Sequence, residues 1–312
     1  MLTRLLRQLY NFSPEPVAKR LEARTPSFID KFTVDFPEGK SGIIHGLGEA
    51  NVIRDLFWRN FEASNPEFNR VLFSLAKSAD TIVDIGSYLG YYTLTAAKAN
   101  PKARIYSVEP FPVSVAYQKE MIHLNNLDNV TICDVALSDL DGVLPFYIPD
   151  FSQSRIPNIG SLVDRFGEGT HYDDRSSIRT EVDAHTLSSL FDRFQIESVD
   201  LIKFYIEEME TSVFTAAKDI LAKHKPDLLG WIFYRDDNVE MLGELLDQIG
   251  YSHFVFKGQE LIPCPVLSDA KVLGGVFNPK RGGRSSIFST TNPSGKIPEL
   301  AVQIPGLTAR PN

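Results

Sequence analysis

The sequence predicts an α/β fold in which an open, mostly parallel sheet carries helices on both faces. Three observations lead to this prediction. Residues 81–83 form a short apolar run that leads into Asp84 and a glycine turn, and residues 91–98 then have the apolar spacing of a helix. The same alternation of strand and helix recurs with short connections, as in parallel sheets. At 312 residues, the chain can bury one large core with an appended piece.

Each element is predicted from its apolar period and from the Gly, Pro or Asn residues at its ends. The predicted strands are 81–84, 104–108, 130–134, 144–148, 199–206, 227–234, 253–256 and 287–289. The predicted helices are 90–99, 113–126, 186–194, 208–223 and 237–249. Residues 150–180 are polar and interrupt the pattern, which is typical of a functional or disordered loop.

The alternation divides the chain into three predicted parts. These are an N-terminal extension of helices and strands over 1–78, a main domain over 79–290 and a C-terminal tail over 291–312. The extension begins with a short amphipathic helix over residues 1–10. A later helical pattern over 49–75 is broken near Ser64-Asn-Pro66. Four prolines after residue 291 predict that the tail is loosely held.

Composition and charge limit the classes of function. The net charge of −8, without a basic stripe, argues against a nucleic-acid partner. Two cysteines, Cys133 and Cys264, cannot form a disulfide framework and suit a reducing compartment. No stretch approaches the roughly 20 apolar residues of a membrane span, and Arg4 and Arg7 interrupt the first segment, so it lacks a signal-peptide core. We therefore expect a cytoplasmic protein without a transmembrane segment.

The N-terminal amphipathic helix has more than one compatible role. It can dock on its own chain or on a twin subunit, which would allow a homo-oligomer, or it can lie on a membrane surface. Docking on protein is the favoured interpretation.

The glycine turn has the spacing of a nucleotide-binding site. Gly86 and Gly90 allow a ligand to approach the backbone, and the following helix N-terminus offers unpaired N–H groups. Glu109 ends the second strand about twenty residues past Gly90, where an acid can accept hydrogen bonds from two ribose hydroxyls. Asp134, at the end of the third strand, is placed for a polar contact with an adenine edge. Together these positions predict a site for an adenosyl ligand.

Two cofactors carry such an adenosyl group, NAD and S-adenosylmethionine. An NAD site would present a G-x-G-x-x-G turn directly to the pyrophosphate. Here Asp84 stands in the turn, where it would repel a pyrophosphate but suit a cationic aminoalkyl group. Pro110 fixes the chain as it leaves the second strand, and Ala136 and Leu137 would form an apolar wall. The residues therefore favour S-adenosylmethionine.

The sequence also resembles the FkbM-type S-adenosylmethionine-dependent methyltransferases over roughly residues 55–260. The segments that carry the resemblance are Val83-Asp-Ile-Gly-Ser-Tyr-Leu-Gly-Tyr-Tyr-Thr93, Val108-Glu-Pro110, Asn129-Val130, Ala136-Leu-Ser-Asp-Leu-Asp-Gly142, Gly160-Ser-Leu162, Thr186-Leu187 and Val199-Asp-Leu-Ile-Lys203. The resemblance implies a class I, Rossmann-like methyltransferase fold with a seven-stranded, mostly parallel sheet. It implies methyl transfer by residues 79–290 to a hydroxyl of a sugar, glycan or secondary metabolite. Ser87 in the turn then joins the expected cofactor-binding residues.

One segment departs from the family pattern. After Ile-Lys the family has I-D-V-E-G-x-E, whereas residues 204–210 read Phe-Tyr-Ile-Glu-Glu-Met-Glu. Tyr205 stands where an acid is expected and Glu208 stands where a glycine is expected, while Glu207 is retained. The next strand lacks the acid that often ends it in the family. The sequence thus keeps the half of the site expected for the cofactor and changes the half expected for the acceptor.

Three residues are candidates for handling the proton of the acceptor. Lys203, Tyr205 and Glu207 alternate and so share one face of a strand. Tyr205 or Glu207 would accept or relay the proton, or else the three form a structural ion pair and an aromatic plug. His171 in the polar loop is either a general base or a solvated side chain. No metal site is expected, because acids are missing at residue 205 and around residue 231.

Two further functions remain compatible with the sequence. The first is an S-adenosylmethionine-binding partner or regulatory protein without catalysis, which the altered segment at residues 204–210 favours. The second, more distant, is a nicotinamide-dependent oxidoreductase.

Overall fold

A large central sheet with helices on both faces dominates the computed structural model, beside a two-stranded and a three-stranded sheet. The structure describes residues 2–22, 29–46, 50–63, 65–150, 160–164, 176–233, 239–270, 276–278 and 282–309. The predicted α/β class is confirmed.

Within its described residues, the N-terminal extension contains four α-helices and one hairpin. Its elements are α1 (Leu2–Asn11), α2 (Glu15–Glu22), β1 (Lys31–Asp35), β2 (Ser41–His45), α3 (Asn51–Arg59) and α4 (Pro66–Ala76). The predicted break lies where α4 begins with Pro66, whose fixed φ suits the first turn of a helix. Helix α1 docks on its own chain, because the buried Arg7 guanidinium donates hydrogen bonds to the carbonyls of Leu56 and Phe57.

The main domain begins with the predicted alternation of strands and helices. Its first elements are β3 (Thr81–Ile85), α5 (Tyr91–Ala99), β4 (Arg104–Val108), α6 (Pro112–Asn125) and β5 (Val130–Cys133). A three-stranded sheet follows, made of β6 (Ala136–Leu137), β7 (Gly142–Pro149) and β8 (Ser177–His185). The predicted polar loop therefore ends earlier than expected, at the start of β8. Residues 151–159 and 165–175 of that loop lie outside the described residues.

The second half of the main domain returns to the central sheet. Its elements are α7 (Leu187–Phe194), β9 (Leu201–Phe204), α8 (Glu210–Ala216), α9 (Lys218–His224), β10 (Asp227–Phe233) and α10 (Val239–Ile249). The last elements are β11 (Ser252–Lys257), β12 (Glu260–Pro263), β13 (Val276–Asn278), β14 (Gly282–Thr290), α11 (Pro293–Gln303) and β15 (Thr308–Ala309). Helix α7 begins where the Thr186 side chain accepts a hydrogen bond from the Ser189 N–H, a typical N-cap.

The central sheet has the order β15-β12-β11-β14-β10-β9-β3-β4-β5, with β13 paired to β14. Strands β5, β4, β3, β9 and β10 are parallel, and β14 runs antiparallel between β10 and β11. These seven strands form the expected mostly parallel sheet of the class I methyltransferase fold. The sheet as a whole has ten strands, so the expected number of seven was too low. The additional strands β12, β13 and β15 are too short for alternation to reveal them in the sequence.

Apolar side chains cover both faces of this sheet. One face packs against α3, α4, α5, α6 and α11 together with β1 and β2. The other face packs against α7, α8, α9 and α10. Every residue of β3 and of β10 is buried, as expected for inner strands of a parallel sheet covered on both sides. The extension shares the first apolar layer and so packs directly on the main domain.

The tail, expected to be loosely held, instead forms a helix and a short strand and is anchored by the buried side chains of Leu300, Ile304 and Leu307. Helix α11 begins at Pro293, and the Asn292 side chain caps it by accepting a hydrogen bond from the Gly295 N–H. Leu300 and Ile304 are buried in the layer that contains α4. The prolines misled the prediction, because a proline in the first turn is compatible with a helix and apolar burial outweighs the one inside it. No helix within the described ranges is long and apolar enough to cross a bilayer.

Candidate cofactor and acceptor site

A cavity of about 440 Å³ opens at the edge of the central sheet where the parallel strands end. The register aligns Ile85 at the end of β3 with Val108 of β4 and with Phe204 of β9, so the residues that follow these strands converge there. The lining has two sides, which we name after the nearest strand. The β4 side includes Tyr88, Glu109, Phe111, Ser114, Ala136 and Leu137. The β10 side includes Tyr92, Lys203, Tyr205, Glu207, Trp231 and Arg284.

Glu109 is held firmly on the β4 side by two backbone amides. Its Oε2 accepts a hydrogen bond from the Tyr88 N–H at 2.8 Å, and its Oε1 accepts one from the Phe111 N–H at 2.9 Å. Burial raises the pKa of this carboxyl to about 7, although both amide hydrogen bonds act in the opposite direction. Because each carboxylate oxygen can accept two hydrogen bonds, Glu109 keeps acceptor capacity for a ligand.

The glycine turn between β3 and α5 is shaped mainly by its protein neighbours. Gly86 has a φ of +68°, and a Cβ built on it would overlap the backbone oxygen of Tyr205. Gly90 has a φ of +77°, and a Cβ there would lie 2.7 Å from the Met121 Cε of α6. Gly86 and its neighbour Ser87 line the cavity, whereas Gly90 does not. The turn therefore needs glycine at residue 86 because the backbone at the end of β9 approaches it closely, and at residue 90 because of the left-handed φ.

Asp84 contacts protein groups below the turn and is absent from the cavity lining. The register pairs Asp84 directly with Lys203, and the Lys203 Nζ lies 2.9 Å from the Asp84 Oδ1. The Thr93 hydroxyl donates to the other carboxylate oxygen at 2.7 Å. Lys203 also donates a hydrogen bond to the Gly86 carbonyl at 3.0 Å. A direct contact of Asp84 with a cationic aminoalkyl group is therefore not supported, because the carboxylate is already paired with a buried ammonium.

Of the residues expected to contact the ligand after β5, some line the cavity and one does not. Ala136 and Leu137 line the cavity, as the prediction of an apolar wall requires, and Pro110 lines it next to Glu109. Asp134 is exposed and is absent from the lining. The strand ends at Cys133, which is buried, so the next side chain points to the opposite face. The expected contact of Asp134 with an adenine edge is thus not supported by its position.

On the β10 side, Tyr205 belongs to an aromatic wall and the cavity stays open beside it. Its ring lies 4.9 Å from that of Trp231 and 5.8 Å from that of Phe233, measured between ring centroids. The Arg284 guanidinium donates a hydrogen bond to the Tyr205 hydroxyl, and its Cζ lies 5.4 Å from the ring centroid.

Glu207 also lies on the β10 side, with 4% of its surface exposed. Its backbone carbonyl accepts a hydrogen bond from the Ser161 hydroxyl at 3.0 Å. Glu207 and Glu208 have φ values of 55° and 80°, so this turn is left-handed without any glycine. Such strained backbone is common at functional sites. His171 lies outside the described residues.

Ser114 and Arg284 are two of the lining residues that the sequence did not indicate. Ser114, in the first turn of α6, is 1% exposed, and its hydroxyl has no hydrogen-bond partner among the described residues. Its position shortly after Pro112 was a weak signal, because serine is common near helix starts. Arg284 lies on β14, far along the chain, and gave no signal. Over the described residues, no group of three or more His, Cys, Asp or Glu side chains could hold a metal ion.

The β4 side fits the adenosyl part of S-adenosylmethionine. Glu109 offers acceptor capacity for hydroxyl groups, and Ala136 and Leu137 offer an apolar surface. The Ser114 hydroxyl would gain its missing hydrogen bond from a polar atom of a ligand.

Comparison with known proteins identifies the family. The methyltransferase FkbM domain matches residues 84–254, which is more than half of the chain. No curated protein matched the sequence. The solved structures similar to this chain include methyltransferase FkbM from Methylobacillus flagellatus, at 13% identity and a TM-score of 0.39. That alignment covers 67% of this chain but only 43% of the Methylobacillus chain.

Two further solved structures are similar at the same level. TYW2 from M. jannaschii, in complex with AdoMet, is 13% identical with a TM-score of 0.40, over 85% of this chain and 87% of that one. An O-methyltransferase from Bacillus cereus, in complex with SAH, is 12% identical with a TM-score of 0.38, over 72% of this chain and 79% of that one. The domain match over residues 84–254, together with the order of motifs around the cavity, shows that the chain belongs to the FkbM methyltransferase family, whose methyl donor is S-adenosylmethionine.

Proposed function

We propose that this protein transfers the methyl group of S-adenosylmethionine to a hydroxyl of a sugar, a glycan or a secondary metabolite. The observation that carries the proposal is the position of Glu109 at the cavity. Two backbone amides fix both of its oxygens, and the apolar wall of Ala136 and Leu137 lies on the same side. An oriented acid beside an apolar wall suits the ribose and the adenine of one ligand.

The β4 side of the cavity would bind the cofactor, and the β10 side would bind the acceptor. On the β4 side, Glu109 would accept hydrogen bonds from ribose hydroxyls, and the Ser114 hydroxyl would bond a polar atom of the cofactor. Gly86, Ser87 and Pro110 would shape the wall around it. The bound cofactor supplies a methyl group that its sulfonium has already activated. The acceptor would then lie on the β10 side, against Tyr205 and Trp231.

The chain itself contributes positioning and a proton acceptor. Glu207 is buried and lines the cavity, which supports a role in which its carboxylate would take the proton of an acceptor hydroxyl. Tyr205 would hold the acceptor through its ring and its hydroxyl. Methyl transfer gains mostly from such alignment, so the loss of an acid at residue 205 is compatible with activity.

Binding and transfer are tested separately. Calorimetry should show that S-adenosylhomocysteine binds the wild type and binds Glu109→Ala at least about thirtyfold more weakly, since a desolvated pair of hydroxyls loses its acceptor. Glu120→Ala is the matched control, because Glu120 lies on α6 with its side chain half exposed and absent from the cavity lining. Absence of binding to the wild type would refute the proposal.

Transfer is then measured with radiolabelled S-adenosylmethionine and a panel of hydroxylated sugars, glycans and secondary metabolites. A labelled product whose methyl group sits on oxygen supports the proposal. Cofactor binding without any product would favour the second candidate, a non-catalytic cofactor-binding partner or regulatory protein. The observation that favours this candidate is Tyr205, which follows β9 at the position where the family pattern has an acid.

A further inference from the structure

Arg284 places a positive charge at the β10 side of the cavity. It lies on β14 opposite Phe233, two positions beyond the pair formed by Trp231 and Ser286, and so just past the edge where the parallel strands end. Its side chain is exposed to solvent and also lines the cavity. The guanidinium is therefore within reach of a molecule that enters the acceptor side.

Among the described residues, the partner of this guanidinium is neutral. Arg284 donates to the Tyr205 hydroxyl and stacks over the Tyr205 ring. Across the described ranges, it takes part in no ion pair with an Asp or Glu side chain. A guanidinium has five N–H donors, so within the described part of the chain the bond to Tyr205 leaves most of them for a ligand.

The other cation that lines the cavity, Lys203, already has an acidic partner. Lys203 is 1% exposed, pairs with Asp84 at 2.9 Å and donates to the Gly86 carbonyl. The acid Glu109 lies on the opposite, β4 side. The acceptor side thus combines the accessible positive charge of Arg284, the buried acid Glu207 and a wall made by the rings of Tyr205 and Trp231.

We propose that the methyl acceptor carries an anionic group, a carboxylate, phosphate or sulfate, and that the exposed Arg284 binds this group while the rest of the acceptor packs against Tyr205 and Trp231 and reaches toward the buried Glu207. The planar fork of arginine matches the oxygens of such anions in two parallel hydrogen bonds. The proposal rests on the proposed function and names the acceptor class for the same site.

The test uses probes in matched pairs that differ in charge. Glucose 6-phosphate is compared with glucose, and 4-hydroxybenzoate is compared with 4-hydroxybenzamide, each titrated into full-length protein saturated with S-adenosylhomocysteine. Binding is followed by the fluorescence of Trp231, one of two tryptophans in the chain and part of the cavity lining. The same pairs are then offered as acceptors with labelled S-adenosylmethionine.

We expect the anionic member of at least one pair to bind about tenfold or more tightly than its neutral counterpart. Arg284→Gln should abolish this preference, and Arg284→Lys should keep part of it, because a charge remains without the planar fork. Arg104→Gln is the control. Arg104 is also exposed, but it lies at the start of β4, at the opposite edge of the sheet. All variants should melt within a few degrees of the wild type.

The outcomes separate the two proposals. If S-adenosylhomocysteine binds but the wild type shows no preference for either anion, the anionic acceptor class is overturned while the proposed function stands. A preference that survives in Arg284→Gln would overturn it as well. If S-adenosylhomocysteine itself does not bind, the proposed function fails first. A preference for phosphate alone, or for carboxylate alone, supports the proposal and identifies the group.

Discussion

The Lys203 ammonium lies 2.9 Å from the Asp84 carboxylate, and both side chains are buried directly beneath the glycine turn. The parallel register of β3 and β9 makes them neighbours, and the Thr93 hydroxyl donates a hydrogen bond to the other carboxylate oxygen. The pair therefore connects the first strand of the site to the strand that carries the acceptor side.

Replacing Lys203 with methionine should destabilise the protein strongly. It leaves the Asp84 carboxylate buried without its cation, which costs about 3–5 kcal/mol in comparable cases. Urea unfolding of the variant measures this loss. The double variant with Asp84→Asn should regain part of the stability, because no buried charge is left. Equal stability of Lys203→Met and the wild type would contradict a buried, charged pair.

Gly86→Ala should unfold the site and lower the free energy of unfolding by more than about 3 kcal/mol. The added Cβ would overlap the Tyr205 carbonyl, and a φ of +68° is unfavourable for alanine. Gly39→Ala separates the two effects. Gly39 has nearly the same φ, +70°, with open space around its Cβ position, so only roughly 1 kcal/mol should be lost there. Similar losses at both positions would show that the close contact at Gly86 does not matter.

The affinity for S-adenosylhomocysteine should rise as the pH increases through about 7. Burial raises the pKa of Glu109 to about 7, and only the ionised carboxylate accepts hydrogen bonds with all its lone pairs. The stability of the ligand-free protein should change in the opposite direction with pH. A raised pKa stabilises the fold below the unfolded value of about 4.5, and this contribution is lost as the pH rises through 7. The increase in melting temperature caused by the ligand should therefore be larger at pH 8 than at pH 6. Glu109→Gln should show no such difference.

Glu207→Gln should lower kcat by about 10²–10⁴-fold once an acceptor is known, because glutamine cannot take the hydroxyl proton. The affinity for S-adenosylhomocysteine should stay unchanged, since Glu207 lies on the β10 side of the cavity. Glu208→Gln is the control, because this neighbouring acid shares the left-handed turn but is absent from the cavity lining. Unchanged kcat in Glu207→Gln would assign the residue a structural role.

The central part of the fold follows from local patterns in the sequence. Strands β3, β4 and β5 and their helices are predictable because apolar runs and glycine or proline ends are local signals. The C-terminal helix α11 was missed because its prolines resemble a linker. Its burial depends on α4, more than two hundred residues earlier, as the hydrogen bond between the Ser74 hydroxyl and the Gln303 side chain shows.

A site contact could be predicted where it depends on the end of a single strand. It could not be predicted where it depends on which two strands pair. Glu109 reaches the cavity because it directly follows β4. Asp84 has the same local signal, yet its carboxylate faces Lys203, and the pairing of β3 with β9 is not encoded near either residue. Arg284 depends in the same way on the antiparallel pairing of β14 with β10.

The sheet order also has a consequence for how the chain folds. Strand β3 lies between β4, its neighbour in sequence, and β9, which is synthesised much later. Strands β3, β4 and β5 can therefore assemble early through local contacts, while one side of β3 stays open. Until β9 inserts, Asp84 would lack its cation and the glycine turn would lack the backbone of Tyr205, which it contacts in the folded state. We expect the cavity to form late in folding, after β9 has inserted and Lys203 has joined Asp84.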